Sequence, residues 1–143
     1  MQIAPQTNSP FFSRISIVIP PTGLYCREDR CQSFFHFRLV PSVRAPLEEC
    51  EAAGALRAIG IPTQIIDAPT LQLSDDQARR AIKEFNPDLV VLVCTFGTLQ
   101  ADLRWARILK RELPSVLIGA RGAPAYALGD QMLHEHPALD FCM

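Results

Sequence analysis

The side chains of this chain that could do chemistry gather in three short stretches. The first, "PPTGLYCREDRCQ" (20–32), sets two prolines and a Thr-Gly ahead of two cysteines, with a cluster of charges between them. Cys26 and Cys31 have four residues between them. Zinc accepts that spacing, but a zinc site needs two further ligands. The histidines are His36, His134 and His136, and there is no second cysteine pair. His134 and His136 stand two apart in a predicted helix, so they point to different faces. The cysteines are therefore read as reduced thiols without a metal. The "REDR" charges read as a solvated loop, where exposed ion pairs contribute little.

The other two stretches are "TFGT" (95–98) and "GARGAP" (119–124). All three share one chemistry. Glycine lets a ligand approach the backbone closely, and Thr22, Thr95 and Thr98 can donate and accept hydrogen bonds. Free N–H groups at the helix starts that follow favour an anion such as a phosphate. None of the stretches holds G-x-G-x-x-G or a P-loop, so a nucleotide has no motif behind it. The same glycines fit plain turns, and both readings stay open at this level. There is no G-x-S-x-G elbow, and no histidine directly follows a central strand. Asp75 and Asp76 belong to a helix start, where acidic side chains suit the dipole. No complete catalytic constellation is visible.

Strands and helices must bring these stretches together. "ISIVI" (15–19) is a β-branched run closed by prolines and reads as a buried strand. An Ala-rich helix over 46–60 follows the first loop, with Gly60 at its stop. Gly54 inside it predicts a close helix–sheet approach. "TQIIDA" (63–68) is a second strand. Ser74 and Gln77 form a capping box for a second helix, whose Ala78, Ala81, Ile82 and Phe85 share one face. "LVVLVC" (89–94) is apolar throughout, which suits a strand covered on both faces of a parallel sheet. Leu99, Leu103, Ala106, Leu109 and Leu113 line a third helix. "SVLIG" (115–119) is a fourth strand, 126–136 a short helix, and "ALDFCM" (138–143) starts a fifth strand.

Strict alternation predicts an α/β fold: a Rossmann-like (flavodoxin-like) doubly wound five-stranded parallel sheet in the order 2-1-3-4-5. Ligands of such sheets sit beyond the C-terminal strand ends. The first loop, about 25 residues with no element of its own, opens there, as do the other two stretches. Residues 1–14 read as a poorly ordered extension, and 15–143 as one domain incomplete at its C-terminus, with the closing helix truncated.

At 143 residues the chain fits one ordinary domain, and its net charge of -1 marks no nucleic-acid partner. The longest apolar runs are too short to span a bilayer, and the N-terminus lacks a signal-peptide pattern. The expected location is the cytoplasm. Five cysteines without repeating spacing argue against a disulfide framework. Cys50 and Cys94 read as small buried hydrophobes.

"ISIVIPPTGLYCREDRCQ", "APLEECEAAGALRAIGIPTQIIDA", "NPDLVVLVCTFGTLQADLRWARILKREL", "IGARGAPA" and "HPALDF", in that order, resemble the N-terminal cobalamin-binding domain of cobalamin-dependent radical S-adenosylmethionine enzymes. In that family the first strand ends in a Pro-Pro, and an "R-P-P-L" helix start follows, here Arg44-Ala45-Pro46-Leu47. The third strand reads "PDLVVI" before a Thr or Ser, and the fourth ends in a Gly-Gly or Gly-Ala pair. The resemblance runs from about Ile15 to the C-terminus. It implies a module that holds cobalamin against Pro21, Thr22, Gly23, Thr95, Gly97, Thr98, Gly119, Ala120, Arg121 and Gly122, binding rather than catalysing. A [4Fe-4S] cluster and S-adenosylmethionine would belong to a radical domain downstream or in a neighbouring chain, typically a methyltransferase; its C-x-x-x-C-x-x-C motif is absent here.

Two departures stand out. The Asp-x-His-x-x-Gly loop whose histidine ligates cobalt is missing, so cobalt has no evident protein ligand; His36 reads as a surface histidine, with a substitute ligand as the alternative. Arg121 stands where the family has Gly-Gly-Pro-His or similar. Two other classes compete: a flavodoxin-like or regulatory small-ligand domain, and a remnant that no longer binds cofactor. A receiver is disfavoured, because Pro20-Pro21 and Thr95-Phe96 stand where it needs acidic residues.

Overall fold

The computed structural model describes residues 11–22, the backbone of 25–27 and 32–34, and residues 45–143. Chain order is β1 (Ile15–Ile19), β2 (Tyr25–Arg27), β3 (Gln32–Phe34), α1 (Leu47–Ala58), β4 (Thr63–Asp67), α2 (Asp75–Phe85), β5 (Leu89–Val93), α3 (Leu99–Glu112), β6 (Leu117–Arg121), α4 (Ala123–Glu135) and β7 (Phe141–Cys142). The main sheet has five strands in the order β4-β1-β5-β6-β7, and every pairing in it is parallel. In main-strand numbering that is 2-1-3-4-5, the predicted flavodoxin-like order.

β1 and β5 are central and buried along their whole length. Their side chains alternate between two cores. Val18, Val90, Leu92 and Ile118 point to the face covered by α2, α3 and α4, where Ile82, Leu103 and Leu109 are fully buried. Ile15, Ile17, Ile19, Val91 and Val93 point to the face covered by α1 through Ala53. β5 is apolar throughout because both of its faces are covered, and the one polar residue of β1, the buried Ser16, accepts a hydrogen bond from Gln64 at 2.7 Å.

Several expectations change. The first loop contains an element: β2 and β3 form an antiparallel pair, with Cys26 opposite Ser33. Three residues a side is too short for a periodicity reading to detect. "GARGAP" is not a loop, since 119–121 complete β6 and α4 begins at Ala123. Pro124 sits in the first helical turn, where its fixed φ is pre-set and its missing N–H costs nothing. Gly54 is exposed, and a Cβ there would meet nothing within 4 Å, so no close helix–sheet approach explains it. Cys50 is exposed, whereas Cys94 is buried as expected. Of the N-terminal extension, residues 1–10 lie outside the described residues; Phe12 packs on the α1-side core, and the backbone N–H of Arg14 donates to Asp88 at 3.1 Å.

Candidate functional site

The main sheet has its switch point between β1 and β5. The chain leaves β1 towards α1 on one face and leaves β5 towards α3 on the other. The connections that follow these two strands therefore leave in opposite directions, and this edge is where doubly wound sheets place ligands. Pro20 is fully buried at the end of β1, with Pro21 and Thr22 half-buried beyond it. Thr95, half-buried, and Thr98, buried, flank the exposed Phe96 and Gly97 after β5.

The structure brings Thr22, Thr95 and Thr98 together, and it does so around a residue that the sequence reading did not select. Asp102 lies in the first turn and a half of α3 and is only 1% exposed. Its Oδ2 accepts from the Thr98 hydroxyl at 2.8 Å and from the Thr95 backbone N–H at 3.3 Å. Its Oδ1 accepts from the Thr22 hydroxyl at 3.2 Å. The Thr95 and Thr98 hydroxyls are 2.9 Å apart. Thr98 occupies the N-cap of α3, yet its side chain makes no cap bond, because its hydroxyl serves the carboxylate instead. Burial pushes the Asp102 carboxyl up to about 6, and the hydrogen bonds from Thr98, Thr95 and Thr22 oppose that rise.

A signal for Asp102 was present. Positions 99, 102, 103 and 106 follow the i, i+3, i+4, i+7 pattern of one helical face, so a carboxylate at 102 falls inside the apolar stripe. A charged residue there is either buried with partners or out of place.

The fourth-strand residues behave differently. Gly119 lies within β6, opposite Val91 and Phe141, and a Cβ there would stand 2.6 Å from the Phe141 ring. Its missing side chain leaves room for an aromatic ring of this same chain. Ala120 is buried in the opposite core. Gly122 adopts φ +111°, and a Cβ would meet the Cys94 carbonyl oxygen at 2.3 Å. It is therefore a glycine of backbone packing and of a left-handed φ. Arg121 reaches the first turn of α1, pairing with Glu48 and, at 3.3 Å, with the buried Glu49. Its charge is thus matched by two carboxylates. Gly23, Cys31 and His36 lie outside the described residues, as does the side chain of Cys26.

Among the described residues no group of three or more His, Cys, Asp or Glu could hold a metal ion, and no helix is long and apolar enough to cross a membrane. A surface hollow of about 540 Å³ lies elsewhere, along α4 and β7, lined by Tyr126, Leu128, Asp130 and Cys142 among others. It is open and holds no cluster of convergent polar groups, so the switch point is the better candidate. Comparison with family models, with curated proteins and with solved structures finds no match.

Proposed function

We propose that this chain is a cobalamin-binding module of a larger radical S-adenosylmethionine enzyme, of methyltransferase type, and that it binds rather than catalyses. The observation that supports this reading best is the topological switch point between β1 and β5, the edge at which the sequence resemblance puts the cofactor. The partner is a radical domain in the same or a neighbouring chain, and the reading places the protein in the cytoplasm, with no nucleic acid or membrane involved.

The fit of the residues is partial. Gly97 is exposed at the switch point and leaves the backbone of the β5–α3 turn open to a ligand. The slot at Gly119, by contrast, is filled by Phe141, and the threonine hydroxyls are engaged with Asp102 or with one another. These engagements favour a second reading, a remnant domain whose site has closed on itself, because a fold can persist without its ligand. Bound cobalamin would supply the cobalt chemistry of the larger enzyme. This chain's part is to hold the cofactor and shield it from water.

Titration with hydroxocobalamin, followed by absorbance, separates the two readings. The binding module gives a saturable base-off spectrum, unchanged in His36→Ala. Phe141→Ala, which empties the Gly119 slot, retains or strengthens binding. The remnant gives no spectral change in either the folded parent or Phe141→Ala, and that outcome defeats the proposal.

A further inference from the structure

α1 is fastened to the sheet differently from α3. Its buried residues are Glu49 and Ala53, whereas α3 buries Leu103, Trp105, Ala106 and Leu109. Leu47 and Cys50, near the start of α1, are exposed. Apolar burial is the main force that holds a helix on a sheet, and α1 contributes little of it. Pro46 at its N-cap offers no side-chain acceptor to the N–H groups of the first turn. The first turn is held by Arg121 at the end of β6, whose guanidinium pairs with Glu48 and, at 3.3 Å, with Glu49.

Arg121 is a fixed post. Its carbonyl accepts from the Cys94 N–H at 2.8 Å, and it stands in register with Val93 of β5. The far end of α1 is anchored separately. Arg57 Nε donates to the Thr63 carbonyl at 2.9 Å. The Ile61 N–H donates to the Leu56 carbonyl at 3.0 Å, and the Ile61 side chain is buried in the α1-side core. These contacts join near neighbours in the chain, so they survive a movement of the first turns. Between the two anchors stands Gly54, exposed and with nothing within 4 Å of a Cβ position. A glycine inside a helix weakens it relative to alanine, and neither packing nor a turn calls for one here. A weak point between an anchored end and an end held by ion pairs is a hinge.

We infer that the first half of α1, residues 47–53, is an arm hinged at Gly54 and latched to the sheet by Arg121. As the crossover between two parallel strands, α1 runs back along the sheet, so the arm lies over the C-terminal strand ends. Ile19 and Val93 belong to the α1-side core at those ends. Opening the arm uncovers them beside the switch point, and any ligand or partner that prefers one of the two states sets its population. The inference stands apart from the cobalamin reading and does not depend on which ligand binds.

The test is native-state amide hydrogen exchange of the full chain, followed by NMR. The amides of residues 50–54 should exchange through an opening cheaper than the one that exposes residues 103–109 of α3. Arg121→Gln removes the latch and leaves Glu49 buried without its partner. Exchange over 50–54 should then quicken by about tenfold or more, with 103–109 unmoved. Gly54→Ala should slow the same amides by about fivefold, again without moving 103–109. If Arg121→Gln does not fold, salt replaces it: about 1 M NaCl screens the exposed Glu48 pair and should quicken 50–54 relative to 103–109. Equal protection of the two segments overturns the inference. So does exchange over 50–54 that is altered neither by Gly54→Ala nor by loss of the latch, whether through substitution or salt.

Discussion

At Asp102, dehydration outweighs three hydrogen bonds, and the sign of its effect on stability follows. The folded carboxyl titrates at about 6 against an ordinary 3.8. A raised value means that the folded state holds the proton more tightly than the unfolded state does. The contribution is present in full below 3.8 and is lost as pH rises through 6. Asp102→Asn is neutral, as the protonated acid is, and so removes the cost of a buried charge. It should stabilise the chain at pH 7.5 by on the order of 2 kcal/mol, with the gain vanishing at pH 4. Urea melts of parent and variant at the two pH values check this; an equal difference at both would show that Asp102 does not titrate in this window. Gly122 is the second residue with a defined outcome. Its φ is +111°, and only 2.3 Å would separate an added Cβ from the Cys94 carbonyl oxygen, so Gly122→Ala is strained in both backbone and packing. It should cost about 2 kcal/mol or more, read as a shifted denaturation midpoint. Gly119 is likewise a packing position, so bulky substitutions there report on Phe141 before they report on any ligand.

Among the elements, the helices separate what the sequence carried from what it did not. The Ser74–Gln77 capping box of α2 is present in both of its bonds, and Ala78 and Ile82 of the predicted face are fully buried. Ser74→Ala should therefore cost about 1 kcal/mol, measured by thermal melting. Such features were legible because they are local: a cap and a 3.6-residue period depend on near neighbours in the chain. Gly54 was misread because a glycine in a helix has two explanations, a close neighbour or mere tolerance, and only the fold distinguishes them. With nothing within 4 Å of its Cβ position, Gly54→Ala should stabilise the chain by up to about 1 kcal/mol. A loss of stability in that variant would mean that something packs on this face of α1. β2 and β3 were missed because three-residue strands give too little alternation to register, and the start of α4 was misplaced by three residues because Gly122 and Pro124 read as a turn.

For the whole molecule, the alternation of elements specified the parallel sheet, its order and its switch point, since right-handed crossovers leave few alternatives. The site was legible only in part. Thr22, Thr95 and Thr98 were placed at one edge correctly, but their partner was not seen, because a hydrogen bond between residues 22 and 102 joins positions 80 apart in the chain. The charge on Arg121 was visible, but its pairing with Glu48 and Glu49 across the sheet edge was not. The central proposal is that a ligand binds at the switch point between β1 and β5. Amide NMR of the full chain during addition of hydroxocobalamin tests this most directly. The account predicts shifts concentrated at Thr22, Thr95, Gly97, Thr98 and Gly122, with the α4–β7 hollow around Tyr126 and Asp130 unmoved. A folded chain whose spectrum does not change at saturating cobalamin, or whose shifts fall at that hollow instead, would contradict it.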